Sequence, residues 1–435
     1  MFLKFFLIPL SIIVIVTNCT GQQKIKIKSN GTKTKVKQTA PKIKTETTNI
    51  IPAADQLDKY LPMLKGKKVA MLVNQTSQVG GVHLVDVLRK NGVTIKVIFG
   101  PEHGFRGNAP DGAKIETTTD PETGIPVVSL YGKKNKPSKE DLQDVDVMLY
   151  DIQDVGTRFY TFISSMQLFL EAAVENNIPL VILDRPNPNG FYVDGSVLDL
   201  KYKSFVGMQP VPINYGMTIG EYATMILQQG WLSEEANKKW QNIIASRYAA
   251  GAKYFHLDVI PVANYTHKSK YVLPVRPSPN LPDMAAIYWY PTNCLFEGTV
   301  ISEGRGTEHP FATIGHPSLP KNLFSFTPHS TEGAPSPKYK DQVCYGWNLY
   351  GSNEEVLKMV DNKIQLKYLL QAYQSFPDKQ NFFKEAGFNR LAGNNELIQQ
   401  IKEGKSEEEI RRSWEPKLTE FKKIRKQYLL YPDFE

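Results

Sequence analysis

Five short clusters hold most of the side chains in this 435-residue chain that could do chemistry. They are Asn74-Gln75-Thr76, Gly100-Pro-Glu-His-Gly-Phe-Arg-Gly107, Asp151-Ile-Gln-Asp154-Val-Gly-Thr-Arg158-Phe-Tyr160, Asp184-Arg-Pro-Asn-Pro-Asn-Gly190, and the run from Phe296 to Phe311. Gly, Pro, Asn and Asp gather in turns for conformational reasons alone, so any one cluster could be plain loop. Several together, rich in carboxylates and arginines, point to an active cleft. Within them Glu102 is the best placed to move a proton. Its loop is stiffened by Pro101 and Gly104 and follows an apolar strand, a setting that suits a general acid. The bland alternative is a loop salt bridge to Arg106. His103 and Arg106 would orient Glu102 or grip an anionic group.

Asp151 and Asp154 stand three apart with Arg158 following. Asp151 is a candidate second catalytic carboxylate. Asp154, Arg158, Tyr160 and Asn74 are expected to hold substrate, or to lock their loops. In the last cluster, three glycines (Gly298, Gly304, Gly306) among charged residues indicate backbone that must approach something closely. Glu303 and Arg305 lie there, and a guanidinium suits a bidentate grip on a carboxylate. Glu102-His103 and Glu308-His309 offer oxygen and nitrogen donors, but adjacent residues rarely ligate one ion and no His-x-x-x-His spacing occurs. No metal is expected.

The elements that must carry these clusters read as alternating strands and helices. Lys68–Val73, Thr94–Phe99, Val145–Tyr150 and Pro179–Leu183 are apolar strands, and His83–Asn91 and Phe162–Asn176 have helical spacing between them. Strands that are apolar throughout imply a parallel sheet covered on both faces, a Rossmann-like α/β fold. Ligands of such sheets bind beyond the strands' carboxyl ends, where four of the clusters fall. Gly-x-Gly-x-x-Gly is missing after the first strand, so a nicotinamide cofactor is not expected, nor any other. Thr218-Ile-Gly-Glu221 has capping-box spacing and starts a helix running towards Gly230. Prolines at 274, 277, 279 and 282 then break the pattern. A boundary is placed there, giving a catalytic domain at 51–265 and a smaller α+β C-terminal domain at 266–435 that contributes to the cleft. The latter opens with a strand-like Cys294-Leu-Phe and ends in helices, the last (Glu407–Gln427) interrupted at Pro416.

The N-terminus is of another kind. Lys4, an apolar run from Phe5 to Val16, and Thr17-Asn18-Cys19 resemble an export signal (1–18) ending in a lipobox, with Cys19 as the acylated residue. Asn before the cysteine leaves plain secretion as the alternative. Residues 19–50 are Lys- and Thr-rich and too poor in large apolar side chains to fold, which describes a flexible tether. Residues 1–50 carry nine lysines and one acid, so the chain's whole excess of +8 sits there and the remainder is balanced. That distribution argues against nucleic acid and for a tether lying on an anionic membrane or wall polymer. The location expected is outside the cytoplasm, anchored to a membrane and facing the periplasm or the cell surface. Only Cys294 and Cys344 remain in the body, which is large enough to fold without staples, so both are expected to be free and buried.

Four motifs are familiar as a set. Gly-Pro-Glu-His-Gly-Phe-Arg-Gly, Tyr-Asp-Ile-Gln-Asp-Val-Gly-Thr-Arg-Phe-Tyr-Thr-Phe, Leu-Asp-Arg-Pro-Asn-Pro-Asn-Gly and Leu-Phe-Glu-Gly-Thr-x-x-Ser-Glu-Gly-Arg-Gly-Thr resemble those of the NamZ-type exo-β-N-acetylmuramidases, formerly the YbbC proteins. The likeness extends over about 50–434, including the tail Tyr428-Leu-Leu-Tyr-Pro-Asp433. It implies a Rossmann-like catalytic domain with a smaller C-terminal one, and removal of β-linked N-acetylmuramic acid from the non-reducing ends of peptidoglycan fragments. The glutamate taken as catalytic in the family matches Glu102. Thr307-Glu-His-Pro310 departs from the Thr-Thr-Arg-Pro of many members, which leaves Glu308 and His309 without an implied role. The chemistry agrees with the residues, since glycoside cleavage needs an acid for the leaving oxygen and charge stabilisation at the sugar. Arg106, Arg158 and Arg305 are candidates for the substrate's lactyl carboxylate. The partner of Glu102 stays open among Asp151, Asp154, Glu303 and the substrate's own acetamido group. Two rival readings remain: a non-catalytic wall-sugar-binding lipoprotein, and a cell-wall esterase or amidase. The latter lacks a Gly-x-Ser-x-Gly elbow or a metalloprotease helix.

Overall fold

The structure is a computed structural model that describes residues 49–102, 104–105, 118–246 and 254–435. Cys19, the export signal and tether up to residue 48, His103 and Arg106 lie outside the described residues.

Lys68–Val73 (β1) is buried from Val69 onward and sits in the middle of a seven-stranded sheet. The others are Thr94–Gly100 (β2), Thr118–Thr119 (β3), Pro126–Ser129 (β4), Val147–Asp151 (β5), Leu180–Leu183 (β6) and Leu257–Ile260 (β7). Their order is β3-β4-β2-β1-β5-β6-β7, parallel throughout except for the short edge strand β3. Leaving out β3, the parallel strands run third, second, first, fourth, fifth, sixth, which is the doubly wound order. Successive side chains of β1 point to opposite faces. Ala70 and Leu72 join one core with Phe162–Glu175 (α3) and Ile219–Gln228 (α4). Val69, Met71 and Val73 join another with Leu57–Leu64 (α1) and Leu84–Lys90 (α2). The strands and helices read from the sequence occur within a residue or two of their expected limits, and the Thr218–Glu221 capping box forms in both directions at the start of α4. Glu234–Ser246 (α5) packs against α3.

The remaining chain begins with Met284–Asn293 (α6), buried at every residue. Cys294-Leu-Phe, expected to be strand-like, lies instead in a 3-10 turn, Cys294–Gly298, that tightens the end of α6. Its three consecutive apolar residues are buried because the turn is enclosed, not because it joins a sheet. Thr313–His316 (β8), Phe324–Phe326 (β9) and Cys344–Asn348 (β10) form a small antiparallel sheet with β10 in the centre. Five helices follow: Asn353–Val360 (α7), Lys367–Ser375 (α8), Glu385–Ala392 (α9), Glu396–Lys402 (α10) and Glu407–Arg425 (α11). The sequence placed a break at Pro416, yet α11 runs through it. Pro416 lies on the solvent side, so the carbonyl it orphans can meet water, while Ile410, Trp414, Leu418 and Phe421 keep the buried face continuous. The larger core extends from Ala70 through α6 to Phe421, so both parts of the chain share it. Cys294 and Cys344 are both free and buried. No described helix is long and apolar enough to cross a membrane.

Candidate active site

A cavity of about 380 Å³ opens beside the carboxyl ends of β2 and β4 and is closed on its far side by the C-terminal part. Glu102 stands two residues past β2, on a turn closed by the Gly104 amide donating to the Pro101 carbonyl at 2.9 Å. Gly104 has φ +77°, a conformation that only glycine takes without strain. Thr161 occupies the N-cap position of α3, but its side chain does not cap the helix. Its hydroxyl donates to Glu102 Oε2 at 2.8 Å instead. Tyr160 also faces the cavity, its own hydroxyl donating to the Pro277 carbonyl at 2.8 Å. Tyr131, Tyr290 and Phe311 supply further aromatic wall, and Asn280 a polar group.

The same cavity is lined by Glu297 and Arg305. Arg305 Nη2 lies 2.7 Å from Glu297 Oε1, and its Nε lies 3.4 Å from Glu303 Oε1. The guanidinium carbon is 5.1 Å from the centre of the Phe311 ring. Behind this pair, Lys338 Nζ is 3.0 Å from Glu303 Oε2 and also donates to the carbonyls of Phe296 and Ile301, each at 2.9 Å. Burial pushes the Glu303 carboxyl up, but Lys338 and then Arg305 outweigh it and hold the group below the usual carboxylate range. Gly304 is needed at the turn before Arg305: it has φ +83°, and a Cβ there would lie 2.2 Å from the Thr313 carbonyl. A buried, doubly neutralised Glu303 thus fixes the arginine from behind while Glu297 shares the cavity with it.

Of the residues expected in the site, Glu102, Tyr160 and Arg305 meet at the cavity, and Glu303 supports it from the second layer. The other expected residues that the structure describes are placed elsewhere. Asp151, expected as a catalytic carboxylate, is fully buried in a bidentate pair with Arg185 at 2.5 and 2.8 Å. Asn74 is buried in an Asx turn, accepting from the amide of Thr76 at 2.9 Å and from its hydroxyl at 2.6 Å, and Thr76 in turn accepts from the Gln153 amide. These contacts fill the crevice at the β1/β5 reversal, where a doubly wound sheet usually takes its ligand. Asp154 is buried under Tyr215, whose hydroxyl donates to it, and burial raises its carboxyl to about 6. Arg158, 0% exposed, makes no ion pair among the described residues. It donates to the carbonyls of Ser196, Val211 and Leu391 at 2.6, 2.8 and 2.7 Å. The expectation that four strand-end clusters converge is therefore corrected. Those after β2 and β5 reach the cavity, while those after β1 and β6 lock the sheet's edge. Glu308 and His309 line a separate groove.

Sequence reasoning missed Thr161, Glu297 and Lys338. Glu297 was within reach, since it stands in the Phe-Glu-Gly-Thr motif next to the turn that carries Arg305. Lys338 had no local signal, for it arrives from a loop 33 residues further on. Among the described residues no group of three metal-binding side chains occurs.

An acid, an arginine and an aromatic wall around an open cavity, set on a doubly wound sheet, define an α/β enzyme of glycoside chemistry. The chain belongs to the exo-β-N-acetylmuramidase NamZ family: the family's N-terminal model matches residues 69–285 and its C-terminal model residues 288–431. It is 37% identical to the peptidoglycan β-N-acetylmuramidase NamZ of Bacillus subtilis over 90% of this chain and 92% of that one. Among solved structures, a DUF1343 family protein from Bacteroides fragilis aligns with a TM-score of 0.78 at 43% identity, covering 89% of this chain and all of that one. A second protein of that description from the same organism has a TM-score of 0.67 at 26% identity, covering 88% of this chain and 99% of that one.

Proposed function

We propose that the protein is an exo-acting glycoside hydrolase that releases terminal β-linked N-acetylmuramic acid from the non-reducing ends of peptidoglycan fragments. The observation carrying this reading is that Glu102 and Arg305, brought from opposite parts of the chain, face one cavity. Glu102 donates a proton to the glycosidic oxygen as the bond to the leaving sugar breaks, and water supplies the oxygen that ends on the anomeric carbon of the released muramic acid. Thr161 fixes the carboxyl by holding Oε2, which leaves Oε1 to face the bond. Arg305 receives the lactyl carboxylate, the group that distinguishes a muramic sugar from its glucosamine counterpart. Glu297 supplies the second negative charge beside the ring as positive charge develops there, and the aromatic side chains pack against the sugar faces. Membership in a family named for this activity favours the enzyme over a sugar receptor built on the same cavity.

The test is release of N-acetylmuramic acid from a synthetic β-muramide by the wild type and by Glu102→Gln. A loss of about 100-fold in the variant is expected for a missing general acid. A wild type that binds the muramide tightly and leaves it intact would make the cavity a receptor and end this reading.

We also propose export and lipid anchoring through Cys19. Lys4, the apolar stretch up to Val16 and the cysteine that follows support it, as does a basic segment suited to an anionic surface. Cells fed a clickable fatty acid should label the wild type and not Cys19→Ala. Equal labelling of both would remove the anchor from this account.

A further inference from the structure

The small antiparallel sheet has two unlike faces. Ile314, Tyr345 and Trp347 point into the core. Thr313, Asn348, Phe324 and Phe326 fall on the opposite face and line a groove of about 520 Å³. Register explains its shape. Phe324 stands opposite Gly346, and Gly346 opposite Gly315, so a lane without side chains crosses the sheet beside the two phenylalanines. A Cβ at Gly315 would lie 2.8 Å from Phe326 Cε1. The two phenyl rings are 6.4 Å apart at 20°, and Phe324 is 47% exposed. At the groove's end the His309 ring stacks on Tyr350 with centroids 3.6 Å apart, and His309 Nδ1 is buried with no hydrogen-bond partner among the described residues.

Gly306, Thr307, Glu308 and His309 form one wall of this groove, and they directly follow Arg305, which lines the catalytic cavity. The turn between them is rigid. Thr307 N donates to Gly304 O at 3.1 Å, His329 N to Gly306 O at 2.7 Å, and Phe311 N to Glu303 O at 2.7 Å. A Cβ on Gly306 would lie 2.4 Å from the His329 carbonyl. Whatever occupies the groove is therefore held at a fixed offset from Arg305.

The lining selects the ligand. Flat apolar rings alternate with hydroxyl and amide groups from Thr307, Thr313, Thr327, Thr331 and Asn348. Among the described residues the lining has neither lysine nor arginine; its imidazoles are His309, stacked on Tyr350, and His329, 2.8 Å from Asp341, and Glu308 is its one carboxylate. An anionic stem peptide finds no lysine or arginine in this lining, whereas a neutral acetylated sugar can stack on the rings and exchange hydrogen bonds with the rim. We propose that this groove binds the first leaving sugar of the glycan, the neutral N-acetylglucosamine on the far side of the cut bond. The proposal rests on the reading of the adjoining cavity as the muramidase site.

The experiment compares wild type, Phe324→Ala and Asn348→Ala on three substrates: an aryl β-N-acetylmuramide with no further sugar, a tetrasaccharide without peptides, and the same tetrasaccharide bearing a stem peptide on its inner muramic acid only, so that the terminal lactyl carboxylate stays free. Phe324→Ala is expected to raise KM for both tetrasaccharides about tenfold, leaving kcat and the aryl substrate within about twofold. Asn348→Ala should follow the same pattern more weakly. Equal losses on all three substrates, or none on any, overturn the proposal. A KM penalty confined to the peptide-bearing chain gives the groove to the peptide and overturns it too. A wild type inactive on every substrate defeats the muramidase reading itself, an outcome separate from these.

Discussion

Thr161 and Glu102 are joined by a 2.8 Å hydrogen bond that couples the start of α3 to the loop after β2. A helix usually takes such a hydroxyl as its own cap. Here it is spent on the carboxyl. Thr161→Val keeps the shape and removes the donor, so kcat on a β-muramide should fall about tenfold while KM and the thermal midpoint move little. A variant as fast as wild type would show that the carboxyl needs no such hold.

Arg305 meets Glu297 at 2.7 Å and leans on a buried Glu303. A lysine keeps the charge but loses the planar fork. Arg305→Lys should raise KM for a muramide by about tenfold and change activity on the matching glucosaminide much less, because only the former carries a lactyl carboxylate. An equal change on both substrates would detach Arg305 from substrate choice.

Arg158 is a strut, joining three carbonyls from segments far apart in sequence. Arg158→Met leaves the Ser196 and Leu391 carbonyls without that donor, while Val211 keeps the Leu198 amide at 3.1 Å, and the cost is on the order of 3 kcal/mol. Chemical denaturation should show the loss, and the folded fraction should keep its KM.

Two buried carboxyls give stability an unusual slope with pH. Burial raises both Asp154 and Asp184 to about 6. Their folded values lie above the unfolded value of 3.8, so between about pH 4 and 6 the native state binds more protons than the unfolded one. That contribution is complete below the unfolded value and disappears as pH rises through 6, with a slope of at most ~1.4 kcal/mol per pH unit for each group. Mild acidification from pH 7 to 5 should therefore stabilise the protein. Glu303 works the other way, its contribution lost only as pH falls below the ordinary carboxylate range. Denaturation midpoints across pH 4 to 8 should show the rise, and Asp154→Asn should flatten it. A rise of the same size in that variant would mean other groups set the slope.

The sheet was legible in the sequence because buried parallel strands leave unbroken apolar runs, and β1, β2, β5 and β6 do. That Glu102 lines the cavity was legible for a related reason, as a carboxyl on a stiff turn just past such a run. Partnership was not legible. Nothing local separates Asp151, which ends at Arg185, from Glu297, which faces the cavity, since each is an acid in a polar cluster. Burial and the identity of the nearest cation decide between them, and both depend on contacts made over tens of residues or more. Arg158 misled for the same reason: an arginine that binds backbone carbonyls looks, in sequence, like one waiting for an anion.

The core that runs from Ala70 to Phe421 has one more consequence. Two parts that share their interior cannot be inherited as exchangeable modules. A chimera joining the first half of this chain to the second half of a distant relative would have to match α6 against the loops after β5 and β6, where Tyr290 meets Phe159 and Tyr160 and Tyr288 meets Phe191. Glu102 and Arg305 are thus bound to a common history, each free to drift only as far as the packing between them allows.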